Sequence, residues 1–218
     1  MGYIHEFEKD YKKKTNDSLS IADPIILLLT LYFIDTVGFD LELNSKSIKL
    51  SGDNNEIAEN RRVGRWCSIF GKRIFKGYGK YEWNIEIIKA GATTVDYDEP
   101  GTLVIGIQNN KFCKERLDGM AFGEGKGIGI IAGPYRGIYS GNSRNVNYGQ
   151  IIGKKGDKIK MILDLDNLML SYVINGTDYG AAVTAEKGYG FDLNKDDEYR
   201  FGLSFACVYD APKVKLCL

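Results

Sequence analysis

Asp192, Asn194 and Asp196 alternate in "DLNKDDEY" as oxygen ligands do at the start of a calcium loop. The pattern then breaks. Asp197 stands where the turn glycine belongs and Leu203 where the last carboxylate belongs, so calcium ligation is not expected. "GIGIIA", residues 127–132, matches a degraded dinucleotide fingerprint. Gly133-Pro134 follows where a phosphate-binding helix should open, so a glycine-rich strand is the better reading. "ENRRVGR" (59–65) gathers Arg61, Arg62 and Arg65 without interleaved aromatics, a weak nucleic-acid signal; these arginines suit a partner's acids or a solvated surface equally. "DYDEPG" (96–101) clusters Asp96, Asp98 and Glu99 as a solvated loop or an acidic contact patch.

Catalysis and metal binding find little support. The single histidine, His5, lies near the chain start, where it would make a poor base for a triad, and no nucleophile elbow, HExxH or P-loop occurs. Cys67, Cys113, Cys207 and Cys217 are scattered without a CxxC pair, so zinc is not expected and reduced thiols in a cytoplasmic setting are. The expectation is a protein that is not an enzyme and takes no cofactor and no metal.

Of 218 residues, 29 are basic and 29 acidic, so no global field draws the chain to nucleic acid or to an anionic membrane. The first fifteen residues are charged and unlike a signal peptide. The longest apolar run, "IILLLTLYFI" (25–34), is too short to span a bilayer, which takes about 20 residues. Asp23-Pro24 before it resembles a helix N-cap, which suggests a short buried helix; a membrane-surface anchor is the alternative, but the polar face such an anchor needs is missing.

The elements that must position any site are strands. Ile159, Met161, Leu163 and Leu165 fall at every second position, as do Leu168, Leu170, Tyr172 and Ile174. A period of two places each set on one face of a sheet. Asp166-Asn167 and Asn175-Gly176 form the corners, the second a strong hairpin signal, so residues 159–183 read as a three-stranded antiparallel meander. Further short β-branched or aromatic runs bounded by Gly, Asn, Asp or Pro extend from "SIKLS" (47–51) to "KVKLCL" (213–218). Many such strands at this spacing suggest an all-β sandwich. The expected organisation is a polar tail over 1–20, a short N-terminal helix over 21–39, and one domain over 40–218.

The order of segments resembles the SPRY domain family. The carrying residues are "GKYEWNIEI" (79–87), "LVIGIQ" (103–108), "GIGIIA", "YGQIIGKKGDKIKMILDLDNLMLSYVINGTDYGAAV" (148–183) and "YRFGLSFA" (199–206). One departure is plain: where the family carries a Trp-Gly-aromatic element, this chain has "KGIGII". The resemblance implies an antiparallel β-sandwich of the concanavalin-like jelly-roll kind. It also implies a protein–protein interaction module that binds a peptide or loop of a protein partner, as adaptors and substrate-recognition parts of ubiquitin ligases do. Family members bind through loops at one end of the sandwich, which map here to Ser51–Arg65, Asn109–Glu124 and Cys207–Pro212. The partner-binding candidates are therefore Arg61, Arg62, Phe112, Leu117, Met120 and Tyr209, with Tyr135 and Arg136, beside Gly137, as another candidate rim. Phe112, Leu117 and Met120 are either binding anchors or a satellite core tucked under their loop. The rival class is a lectin-like carbohydrate-binding sandwich, with "YSGNSRNVNYG" (139–149) as its polar surface. The partner and the oligomeric state are not legible.

Overall fold

The computed structural model describes residues 38–61, 66–90, 102–119, 122, 126–133, 136–140, 143–145, 147–184, 191–206 and 212–217. All fall in the compact unit Val37–Leu218. Segment 25–34, His5, Cys207 and the Asp96–Glu99 cluster lie outside the described residues.

Among the described residues, fourteen strands form two antiparallel sheets. They are β1 (Phe39–Asn44), β2 (Ile48–Ser51), β3 (Ile57–Asn60), β4 (Trp66–Phe75), β5 (Lys80–Lys89), β6 (Thr102–Asn109), β7 (Gly127–Ala132), β8 (Ile138–Ser140), β9 (Ser143–Asn145), β10 (Lys158–Asp164), β11 (Met169–Ile174), β12 (Thr177–Val183), β13 (Tyr199–Ala206) and β14 (Lys213–Cys217). One sheet runs β1-β4-β13-β6-β7-β8-β9, the other β12-β11-β10-β5-β14-β3-β2. Two single-turn 3-10 segments, Asn110–Phe112 and Lys114–Arg116, follow β6.

The meander forms as its alternation requires. Ile159, Met161, Leu163, Leu165, Leu170, Tyr172 and Ile174 are all buried between the sheets. Asn175 (φ 50°) and Gly176 (φ 84°) both adopt the left-handed region that a two-residue type I′ hairpin demands. At the other corner Asp164 accepts hydrogen bonds from the side chain and the backbone of Asn167, which hold its carboxyl below the ordinary range. Asp166 accepts from the Gly79 amide. Both acids are turn formers.

"GIGIIA" is β7, buried throughout. Gly106 of β6 pairs directly with Gly129 of β7. A Cβ on Gly129 would meet the Ile105 carbonyl oxygen at 2.7 Å, so the glycines serve strand approach rather than phosphate binding. Two segments depart from expectation. Phe39, placed by the sequence in the helical span, opens β1, and the stretch 51–65 read as a loop contains β3.

The inner faces share one large core, in which Trp83 stacks on Phe201 at 5.7 Å and meets Phe75 edge-on at 4.7 Å. A second cluster, Leu43, Phe70, Val104, Cys113, Phe122 and Ile131, lies on the outer face of the first sheet. Two edge strands are irregular. β1 makes two register pairs with β4, Phe39↔Gly71 and Asn44↔Ile69, with a shift between them, and Asp40 accepts from the Glu42 amide. β12 shifts register twice against β11, and Asp178 accepts from the amide of Gly180, which sits at φ 66°.

Arg200 of β13 is nearly buried, its side chain 12% exposed. Its guanidinium donates to the carbonyl oxygens of Gly71 and Lys72 at 2.7 Å each, to Asn110 Oδ1 at 2.6 Å and to Asp40 Oδ2 at 3.2 Å. Arg200→Ala strands these acceptors and should destabilise the domain by about 3 kcal/mol, roughly 10 °C in a thermal melt. Arg200→Lys should recover less than half, since an ammonium cannot span four acceptors on three elements.

Burial pushes the Cys113 thiol from 9.0 to about 12 and the Tyr199 phenol from 10.0 to about 12. Tyr148 and Tyr172 are raised by the same cause. The folded values lie above the unfolded ones, so the stabilisation is complete below the unfolded values and is lost as pH climbs from about 9 toward 12. Melting temperature should be flat from about pH 7 to 9 and fall steeply above pH 10.

Candidate functional site

The register sorts the candidate residues by end. Ala206 pairs with Trp66 on one side and Thr102 on the other, and Leu103 pairs with Ala132. In the second sheet Lys213 pairs with Glu59 and Lys89. The connections 61–65, 90–101, 133–137 and 207–212 therefore leave from one end of the sandwich, here the first end. Arg61, exposed and donating its amide to the Ser47 carbonyl, and Arg136, also exposed, both belong there. Arg62, Tyr135 and Tyr209 fall in the same connections but outside the described residues, as does Met120.

Phe112 does not join them. Asn109, which precedes its 3-10 turn, pairs with Tyr199, and Tyr199 pairs with Phe75. These residues mark the opposite, second end, one β13 length away, roughly 24 Å at the usual strand rise. The reason is antiparallel geometry: β6 and β13 are neighbours, so the loops that follow them leave from opposite ends. The expected grouping of Phe112 with Arg61, Arg62 and Tyr209 is thus corrected by the register.

The segment after Phe112 runs as a strap across the outer face toward the first end. Leu117 O accepts from the Ser68 amide at 2.8 Å and Gly119 O accepts from Ser68 Oγ at 2.8 Å. Ser45 Oγ donates to Asp118 Oδ1 at 2.7 Å. Ser68 pairs with Ser204, two residues short of the first end. Leu117 is half-buried against the second cluster, which Cys113 and Phe122 complete from the strap side. So a satellite core exists under the strap. Trp66, half-buried on the same cluster at the first end, was missed from sequence; a tryptophan directly after the arginine group was the available signal.

At the second end Phe112 lines an open cleft of about 350 Å³ with Asn109, Lys111, Lys126, Phe191, Asp192, Asn194 and Asp197. Lys126 Nζ sits 4.6 Å over the Phe112 ring, and Lys111 pairs with Asp197 at 3.5 Å. Asn194 Oδ1 accepts from the amides of Asp196 and Asp197, and its Nδ2 donates to Asp197. The calcium-like stretch is thus an Asx turn whose polar groups answer one another. Among the described residues, no three His, Cys, Asp or Glu side chains group so as to hold a metal ion.

Neither a family model nor a curated protein sequence matches this chain. Solved structures do. The SPRY domain of human HERC1 matches with a TM-score of 0.61 at 18% identity, covering 83% of this chain and 97% of that one. The TRIM65 PSpry domain matches with a TM-score of 0.55 at 14% identity, covering 83% and 91%. Stonustoxin matches with a TM-score of 0.56 at 14% identity, covering 83% of this chain and 28% of its own. At such identities the likeness shows the fold, and the fold is SPRY-like.

Truncation should separate the two parts of the strap. Phe122→Ala opens a buried void and should cost about 3 kcal/mol or more; Leu117→Ala should cost about 1–2 kcal/mol. Phe112→Ala, which removes a half-exposed ring and one cation–π contact, should cost about 1 kcal/mol or less. Thermal melts of the three variants check the order.

Proposed function

We propose that this domain is a non-catalytic recognition module that binds a peptide or loop of a protein partner at the first end. The observation that carries the reading is the register: it brings Arg61, Arg136, the connections 61–65, 133–137 and 207–212 and the strap tip at Leu117 to one end of a rigid double sheet. Paired strands fix where these connections begin and end, and fixed anchor points lower the ordering cost of association. Arg61 and Arg136, both exposed at this end, favour a partner carrying acidic groups at the rim. Cys113 and Cys217 are free thiols, which supports a cytoplasmic setting.

The experiment is a peptide-display selection on the purified domain, followed by affinity measurement on variants. Arg61→Glu and Arg136→Glu should each weaken the selected peptide about fivefold at low salt, the effect fading by 0.5 M salt because exposed pairs are screened. Phe112→Ala, at the other end, should leave affinity unchanged. A selection that returns no peptide while a glycan array returns a sugar would turn the reading to the lectin-like alternative. Affinity lost in Phe112→Ala but kept in both arginine variants would move the site to the second end.

A further inference from the structure

Gln108, on the outer face of β6, is 0% exposed, and neither its Nε2 nor its Oε1 has a hydrogen-bond partner among the described residues. Buried amides are nearly always satisfied, and an unmade bond costs the full desolvation of the group. Phe122, three residues beyond the strap, crowds the same place as this amide. A Cβ built on Gly127 would fall against Gln108 Oε1 and lie 3.0 Å from Phe122 Cδ1, so amide oxygen and ring crowd the same glycine. Cys113, also 0% exposed, donates from its Sγ to the Asn109 carbonyl at 3.7 Å and packs in the same cluster.

The strap's two ends are held by different partners: the base by Glu198 and by Arg200 of β13, the tip by two serine hydroxyls and one amide. Its base is clamped by Asn110, which donates its amide to Glu198 O and its Nδ2 to Glu198 Oε2 and accepts from Arg200. Its tip rests on the contacts of Leu117, Asp118 and Gly119 with Ser68 and Ser45. The residues between are single 3-10 turns, which carry few internal hydrogen bonds.

We infer that Asn110–Gly119 is a latch that releases from Ser45 and Ser68 as a unit while the sandwich stays folded, and that hydration of the Gln108 amide favours release. Release bares the Cys113 thiol and the outer-face residues Phe70 and Val104. The base stays fixed through Arg200, so the opening is a hinge at Asn110 rather than unfolding. The inference holds whether or not the first end binds a peptide.

Cys113 reports on the latch, and Cys67, inside the main core, reports on global unfolding. The native full chain is pulsed with N-ethylmaleimide, and modification of the Cys113 and Cys67 peptides is followed by mass spectrometry. Cys113 should react faster than Cys67. Gln108→Leu replaces the amide with an apolar group of similar size; it should slow Cys113 about tenfold and raise the melting temperature. Gln108→Glu buries a carboxylate and should speed Cys113 while Cys67 changes much less. Exchange of the Ser68 amide, which donates to Leu117, should follow Cys113 in each variant. Equal rates at Cys113 and Cys67 in the parent chain would overturn the inference. So would a Gln108→Leu variant that melts lower or labels faster, since the amide would then be satisfied in the closed state.

Discussion

One guanidinium holds together the parts of this domain that have least else to hold them. The edge strand β1 touches β4 at two register positions, β4 departs from regular pairing where it faces β13, and the 3-10 turns after β6 have few bonds of their own. Arg200 reaches all three, through Asp40, through the Gly71 and Lys72 carbonyls, and through Asn110. A planar cation with five fixed donors can answer acceptors in several directions, and partial burial strengthens each bond. The irregular segments are therefore tied to β13, a strand in the middle of the first sheet.

That arrangement explains how one long connection serves both ends of the molecule. Its base is fixed beside Arg200, its middle closes a small core on the outer face, and its tip reaches Ser68. The outer face accepts it because β6 and β7 carry Gly106, Gly127 and Gly129 there, and because Ser68 and Ser204 meet at 2.9 Å to present hydroxyls rather than bulk. The fold thus devotes both faces of its first sheet to packing, while the second sheet's outer face bears paired charges such as Lys160–Glu82 and Lys213–Glu59.

The meander was legible because local signals agreed: period-two burial, an Asn-Gly corner and an Asp-Asn corner all point to the same structure. β1 was not. Phe39 and Leu43 are buried but lie four apart, and Leu41 between them is 65% exposed, because the register shift breaks the alternation a sequence reading depends on. β3 was hidden by length and by its inward residues, Ala58 and Asn60, which give no hydrophobic signal. For the site, the loops could be named from the resemblance, but which end each loop occupies depends on which strands are neighbours. Phe112 illustrates this: nothing near it in sequence says that β6 lies beside β13. That the Arg61 and Arg136 connections share an end follows in the same way from where the strands they join stop.

The irregularities of the edge strands have a consequence for how the domain meets other proteins. An exposed strand with a straight row of free amides and carbonyls invites another chain to add itself, which leads to strand exchange and fibrous assembly. Here Asp40 and Asp178 each fold back to take an amide of their own strand, β1 and β12 are kinked out of register, and the remaining edges, β2 and β9, span Ile48–Ser51 and Ser143–Asn145. No edge among the described residues offers a long straight template. Edge-to-edge pairing of the copies through these strands is thereby disfavoured.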